Sequence, residues 1–420
     1  MITEQIWEGC VMRPTVLMFG TFDTKGEEFK YLRQELISGG VDVLSMDLGT
    51  YGDGGHFPVD ITAGEVAGKA GSSIEEIAEK GERSFALETL GKGAGEIALG
   101  LMQQGKIHGA ISMGGGGGTT LAAAVMQKLP VGFPKLCIST LASGDTAPYV
   151  GTKDIILFPS IVDICGVNRF SKIIMSSGAN ALCGMAKAFA EKKQEEDEHR
   201  KMVFISMFGN TTKAVTQCTE LLDEAGIDTL VFHATGTGGR AMEELIFAGY
   251  ADAVLDMTTT ELADELCGGI LSAGPKRLEG AVQMGIPYLI VPGCVDMVNF
   301  AAMDTVPEKY RDGTRTLYSW GPLATLMRTN VEENRRLGEI FAEKTAKAEG
   351  KVQFLLPEGG LSALDLPGEM FYSPEADTAL FETIKSKVRK DIPVTGSTFE
   401  INSSDFARLA VSTLLDMMQE

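Results

Sequence analysis

Five consecutive glycines followed by two threonines, Met113-Gly114-Gly115-Gly116-Gly117-Gly118-Thr119-Thr120, are the residues best suited to chemistry. A buried-strand pattern, Ile107 to Ser112, precedes them, and a helical pattern opens at Leu121. Glycines in this place let the backbone approach a ligand and turn several N–H groups one way, while the helix start adds partial positive charge. Such a loop binds anions, either phosphate or carboxylate. It is not a common nucleotide motif: the chain has no G-x-x-x-x-G-K-[ST], and the loop lacks G-x-G-x-x-G spacing. The first strand-to-helix turn, Gly20 to Lys25, holds one glycine before its helix, which disfavours NAD.

A second polar turn, Ser143-Gly144-Asp145-Thr146, follows the next strand pattern, and adjacent parallel strands would set it beside the glycine loop. The hydroxyls of Ser143 and Thr146 suit phosphate oxygens, and Asp145 suits Mg²⁺, directly or through water. An Asx-type turn ahead of Pro148 is the structural alternative. Asp23, Thr24 and Lys25 lie on the same edge, with Lys25 a phosphate cation or a solvated helix-start lysine, and Asp23 a second magnesium candidate.

The later half repeats the theme at Thr235-Gly236-Thr237-Gly238-Gly239-Arg240. Arg240 stands in a first helical turn, where the helix dipole disfavours a cation unless an anion shares the site. Lys276 and Arg277 form another basic helix start, and Asp296, Asn299 and Arg328 occur in PGCVDMVNF and LMRTN. Gly359, Gly360, Ser362 and Asp365 make a further glycine turn with a hydroxyl and a carboxylate. Together these residues read as a second polar cleft, with Asp145, Arg240, Asp296, Arg328 and Asp365 as the candidate catalytic groups.

Several chemistries are excluded. No G-x-S-x-G occurs, the chain has 4 histidines with His199 in a charged run, and no H-E-x-x-H or cysteine cluster marks zinc. The 7 cysteines lie far apart and read as free thiols in a reducing compartment, and the 20 methionines as core filler. A net charge of −20 repels phosphate backbones, and no basic patch offsets it, so no nucleic-acid partner is expected. Without a secretory leader or a membrane-length apolar run, the reading expects a soluble protein, cytoplasmic in a bacterium.

These loops need strands and helices to hold them. The length of 420 residues allows two or three domains. Phe19-Gly-Thr-Phe-Asp-Thr-Lys25 and Phe208-Gly-Asn-Thr-Thr-Lys213 each continue into an amphipathic stretch and a Gly-[Val/Ile]-Asp-x-Leu strand, which makes two similar βαβ units. Domains are expected at 1–192 and 201–420, joined by a charged linker at 193–200, with the placement of the last helix, in its own domain or packed back on the first, left open. Helices are expected at 26–38, 84–104, 119–128 and 276–284 among others, alternating with strands. The fold class is α/β: two Rossmann-like subdomains with largely parallel sheets covered by helices on both faces.

Seven motifs in order carry a resemblance: GTFDTKGEE (20–28), GGGGGTT (114–120), STLASGDTAPYVG (139–151), FHATGTGGRAMEELI (232–246), AGPKRLEGAVQMGIP (273–287), PGCVDMVNF (292–300) and LMRTN (326–330). The chain resembles an uncharacterised bacterial and plant family that includes the N-terminal inhibitory domain of a tomato tobamovirus-resistance protein. The resemblance implies two Rossmann-like subdomains, homodimerisation and binding of ATP with magnesium; in the plant protein the domain binds a viral replication protein. The family pattern has a His-Asn pair after a tyrosine just before LMRT. Here Tyr318-Ser319-Trp320-Gly321-Pro322 stands instead, and if that histidine carries chemistry elsewhere in the family the departure implies a changed substrate or reduced activity.

Three functions follow as expectations. The first is a magnesium-dependent enzyme using ATP on a small polar metabolite held between the two α/β domains. The second is a nucleotide-responsive binding or assembly module without turnover. The third is an ATP-independent lyase or hydrolase of a small carboxylate at the second cleft.

Overall fold

A computed structural model describes residues 13–52, 55–191 and 200–419. The expected linker, apart from Arg200, lies outside these residues, as do His199 and Cys10. The chain separates into two compact units, Met1–Glu196 and Asp197–Glu420.

The N-terminal unit begins with β1 (Thr15–Gly20), α1 (Phe22–Ser38) and β2 (Asp42–Asp47). Three helices follow, α2 (Ala63–Lys69), α3 (Ile74–Lys80) and α4 (Arg83–Gln103). Then come β3 (Gly109–Gly114), α5 (Gly116–Met126), β4 (Lys135–Ser139), α6 (Ala147–Val150), β5 (Ile156–Pro159) and α7 (Arg169–Glu191). The five strands form one parallel sheet in the order β2-β1-β3-β4-β5. Strand β3 is buried at every position, as a parallel strand covered on both faces must be. One face packs on α1 and α7 through Phe29, Leu32 and Leu182, the other on α4 and α5 through Leu90, Ala94 and Val125. Helix α4 carries Gly93 where α2 crosses it: a Cβ there would stand 2.0 Å from the Val66 carbonyl oxygen.

The C-terminal unit runs β6 (Met202–Met207), α8 (Thr212–Glu224), β7 (Asp228–His233), α9 (Thr237–Phe247) and β8 (Ala253–Asp256). Next are α10 (Glu261–Cys267), α11 (Gly280–Met284), β9 (Tyr288–Ile290), β10 (Met297–Phe300), β11 (Leu317–Gly321) and β12 (Ala324–Arg328). It closes with α12 (Val331–Thr345), β13 (Val352–Pro357), α13 (Pro374–Lys387), β14 (Val394–Ser397) and α14 (Ser404–Gln419). Six strands make a parallel sheet, β14-β13-β9-β8-β6-β7, and α14 packs on it within this unit through Phe406, Ala410 and Leu414. Strands β10, β12 and β11 form a small antiparallel sheet.

The alternation of strands and helices yields the expected α/β architecture, with four departures. Helix α5 begins at Gly116 rather than 119, so three glycines lie in its first turn. Helix α1 begins at Phe22, with a kink at Lys25 (φ −133°, ψ 30°). The helix expected at 276–284 is helical only from Gly280. Helices α2 and α3, each 7 residues long, are too short for a clear amphipathic period.

Candidate functional site

In the N-terminal sheet the strand order reverses between β1 and β3, which places a crevice beyond their carboxyl ends. A cleft of about 630 Å³ opens there, lined on one side by Gly115 to Gly118 and on the other by Thr21, Asp23, Thr24 and Lys25. Gly115 caps α5 and among the described residues no side chain caps the helix start, so the N–H groups of Gly116, Gly117 and Gly118 have no partner within the helix. The five glycines have different reasons to be glycine. A Cβ on Gly114 would lie 2.7 Å from the Gly118 Cα, a packing constraint, whereas one on Gly116 would meet nothing within 4 Å.

Asp23 holds the far side. Its Oδ2 accepts from the Thr50 and Tyr51 backbone N–H groups at 2.9 and 3.0 Å, and its Oδ1 is buried with no hydrogen-bond partner among the described residues. Behind it Asp47 accepts from the N–H groups of Phe22 and Gly49, and burial pushes its carboxyl above the usual range. Thr24 bonds Thr21 at 2.9 Å, and Lys25 donates to the Ile164 carbonyl at 2.5 Å, so its charge is already engaged.

Other expected ligand residues lie outside the lining. Asp145 is exposed and accepts from the Ala147 N–H at 3.1 Å, which is the turn role; Ser143, Gly144 and Thr146 belong to that turn. Thr119 is buried and ties α5 to β4 through its 2.7 Å bond with Ser139, and Thr120 donates back to the Gly116 carbonyl at 2.9 Å. The structure adds Arg83 and Glu82 at the start of α4, Tyr51, and an apolar wall containing Ile77, Leu87 and Leu90. Arg83 carries the same signal that singles out Arg240, a guanidinium in a first helical turn.

The C-terminal candidates fall into separate groups rather than one cleft. The α9 start is filled from within: Glu261 Oε1 accepts from the N–H groups of Gly236 and Gly239 at 2.7 and 3.1 Å. Its other oxygen takes the Arg277 Nε at 2.7 Å. Arg277 is 1% exposed and also pairs with both Asp256 oxygens at 2.6 Å and with Glu243 at 3.3 Å. It is therefore an internal hub, not a free cation. Gly238 sits where a Cβ would be 1.9 Å from the His233 carbonyl oxygen, and Thr235 donates to that same carbonyl. Arg240 and Lys276 are exposed, and Arg240 donates to the Ser272 carbonyl at 3.1 Å. Asn299 donates to Asp264 through its backbone and side chain at 2.9 and 2.8 Å.

The remaining candidates do meet. Arg328 contacts Asp377 at 2.5 Å and Asp365 at 3.4 Å, while Ser362 donates to Asp296 at 2.8 Å. Burial pushes the carboxyls of Asp296, Asp365 and Asp377 up, against the lowering effect of Arg328. The Asp296 Oδ1 is buried without a partner among the described residues. Asp365 and Asp377 reach a cleft of about 460 Å³, beside Gly359, Gly360, Tyr372 and Lys385. Asp377 had no flag in sequence because it lies inside a helix pattern, 49 positions from Arg328. Tyr318 and Trp320 lie on β11, and Trp320 is 56% exposed.

Among the described residues, no helix is long and apolar enough to cross a membrane, no group of three metal-ligating side chains occurs, and six cysteines are free. A Clostridium tetani UPF0261 protein is 45% identical over 97% of this chain and 100% of its own length. The tomato ToMV resistance protein Tm-1(GCR237) is 35% identical over 96% of this chain and 56% of its own. A Streptomyces glycosyltransferase, SsfS6, aligns with a TM-score of 0.19 at 11% identity over 94% of this chain and 99% of its own, too low to bear on fold or function. Residues 14–191 match the N-terminal domain of an uncharacterised protein family, UPF0261, and residues 200–418 match its C-terminal domain. With both domains matched in order and a relative 45% identical over 97% of it, the chain belongs to the UPF0261 family.

Proposed function

We propose that the N-terminal unit binds ATP with magnesium and that the protein is a magnesium-dependent enzyme acting on a small polar metabolite. One observation carries this reading: Gly116, Gly117 and Gly118, whose N–H groups have no partner within α5, line the cleft at the point of strand reversal. Phosphate oxygens are the natural acceptors there. The unpartnered Asp23 Oδ1 suits a magnesium ion shared with phosphate oxygens and water, an arrangement that needs no cluster of protein carboxylates. A bound magnesium ion would neutralise charge on the phosphates. The chain's own residues would orient the phosphate over α5 and fix the Asp23 carboxylate through the Thr50 and Tyr51 N–H groups. The reading includes a cytoplasmic homodimer without nucleic-acid or membrane partners; the net charge of −20 supports the exclusion of nucleic acid.

Two observations favour other readings. The lining of this cleft contains no histidine among the described residues, which suits a module that binds nucleotide without turnover. The Asp296, Arg328, Ser362, Asp365 and Asp377 cluster beside the second cleft suits an ATP-independent lyase or hydrolase. Calorimetric titration with ATP, with and without Mg²⁺, tests the main reading. Saturable binding that needs magnesium is expected, and turnover with candidate metabolites then separates enzyme from module. No binding at millimolar ATP removes the nucleotide reading and puts the Asp296 cluster first.

A further inference from the structure

We infer that the N-terminal cleft takes a phosphorylated ligand that also carries a flat apolar ring, with Arg83 clamping the phosphate and Tyr51 covering the ring. This rests on the phosphate reading above. The segment between β2 and α4 carries the argument. A single helix is enough to cross from one parallel strand to the next, yet this connection adds α2 and α3 before α4. Gly81, at φ 62°, ends α3 and turns the chain into α4. The addition builds the far wall of the cleft. Ile77 and Leu90 are its buried base, and Ala86 and Leu87 its half-buried face. One end of the cleft is thus glycine backbone and the other is hydrocarbon.

Arg83 stands where the two ends meet. It is the first residue of α4, and no side chain caps that helix. Its guanidinium lies over Gly117, where an added Cβ would come within 2.7 Å of one terminal nitrogen. Arg83 is exposed, and among the described residues its guanidinium makes no hydrogen bond or ion pair. The start of α5, the start of α4 and an unpaired guanidinium therefore border one space, whose lining also holds the Glu82 and Asp23 carboxylates. The planar fork of arginine donors matches phosphate oxygens.

Tyr51 supplies the other half. It is 89% exposed at the cleft, although Asp23 anchors its backbone N–H at 3.0 Å. The backbone is held while the ring has no aromatic partner among the described residues, and a ring so placed can stack on a base.

Calorimetry with Mg²⁺ present, on wild type, Arg83→Ala, Arg83→Lys and Tyr51→Ala, tests this with three probes: ATP, inorganic tripolyphosphate and adenosine. Arg83→Ala is expected to weaken ATP and tripolyphosphate about tenfold or more, as loss of a charged hydrogen bond does, and to leave adenosine unchanged. Arg83→Lys should recover part of that loss. Tyr51→Ala is expected to weaken ATP and adenosine about tenfold, as loss of base stacking does, and to leave tripolyphosphate unchanged. Both side chains are exposed, so far-UV circular dichroism should match wild type. Wild-type ATP affinity in Arg83→Ala overturns the clamp. Equal loss of all probes in Tyr51→Ala, or no adenosine binding by wild type, overturns the ring site. A wild type that binds neither ATP nor tripolyphosphate has a different signature: it removes the phosphate reading, and this inference with it.

Discussion

In both units the order of the parallel strands reverses beside the first strand, at β1 with β3 in one and at β6 with β8 in the other. Topology offers a crevice at each, but the two ends differ in what fills them. The N-terminal one opens onto glycine backbone, an uncapped helix and the unpaired Arg83. The C-terminal one is closed by side chains: Ser206 and Tyr288 donate to Asp256, Arg277 pairs with Asp256, and Glu261 takes the N–H groups that α9 would offer a ligand. Three carboxylates surround one guanidinium there, and burial raises the Glu243 carboxyl despite Arg277. A shared strand order therefore does not imply a shared ligand; the residues at the reversal decide whether the crevice stays open.

The largest expected effect comes from removing the hub. Arg277→Ala leaves buried carboxylates without their cation and should cost the C-terminal unit about 3–5 kcal/mol in denaturant unfolding. A loss below about 1 kcal/mol would show that the network does not hold this end closed. Gly116→Val should come next. It is expected to weaken ATP at least about 100-fold, or about 3 kcal/mol, with an unchanged melting temperature, because its side chain enters open space. Normal affinity in this variant would remove the glycine loop as the site. Gly118→Val should also lose stability, since its Cβ stands 3.2 Å from the Met113 carbonyl oxygen.

Glu261→Ala would make the closed end more like the open one. It frees the Gly236 and Gly239 N–H groups at a cost of about 1–3 kcal/mol, and millimolar inorganic phosphate should restore melting in the variant but not in wild type. Phosphate without effect would mean that the slot fits only a tethered carboxylate.

A further effect is pH dependence. Burial pushes the Asp264 carboxyl up to about 7, from an ordinary value of 3.8. A carboxyl raised by folding contributes stability that is fully present below its unfolded pKa and is lost as pH rises through its folded one. The raised carboxyls of Asp296, Asp365 and Asp377 act in the same direction. Melting of the C-terminal unit should therefore fall between about pH 4 and pH 7, and Asp264→Asn should flatten part of that slope. A melting temperature independent of pH over this range would contradict it.

Much of the architecture was legible in residue pattern. Near-continuous apolar runs such as GAISMG mark strands buried on both faces, and glycine turns after them mark the sheet edge where loops gather. The short helices α2 and α3 were not legible, because seven residues span barely two turns and give no usable period. The antiparallel pairing of β10 with β12 joins segments about thirty positions apart, which no local pattern records.

Arginines make the division sharpest. Arg240 and Arg277 read as cations at or near helix starts, and Arg83, which the sequence reading passed over, stands at the same kind of position. Packing separates them: Arg277 is enclosed by three acids, Arg240 rests on the Ser272 carbonyl, and Arg83 is left facing a cleft. The α/β alternation, the glycine loop and the absence of common catalytic signatures follow from residue pattern alone, since propensity, period and motif are local properties. Which charges are neutralised and which remain for a ligand was decided only in the tertiary structure, because charge pairing depends on distances between residues that the chain holds far apart.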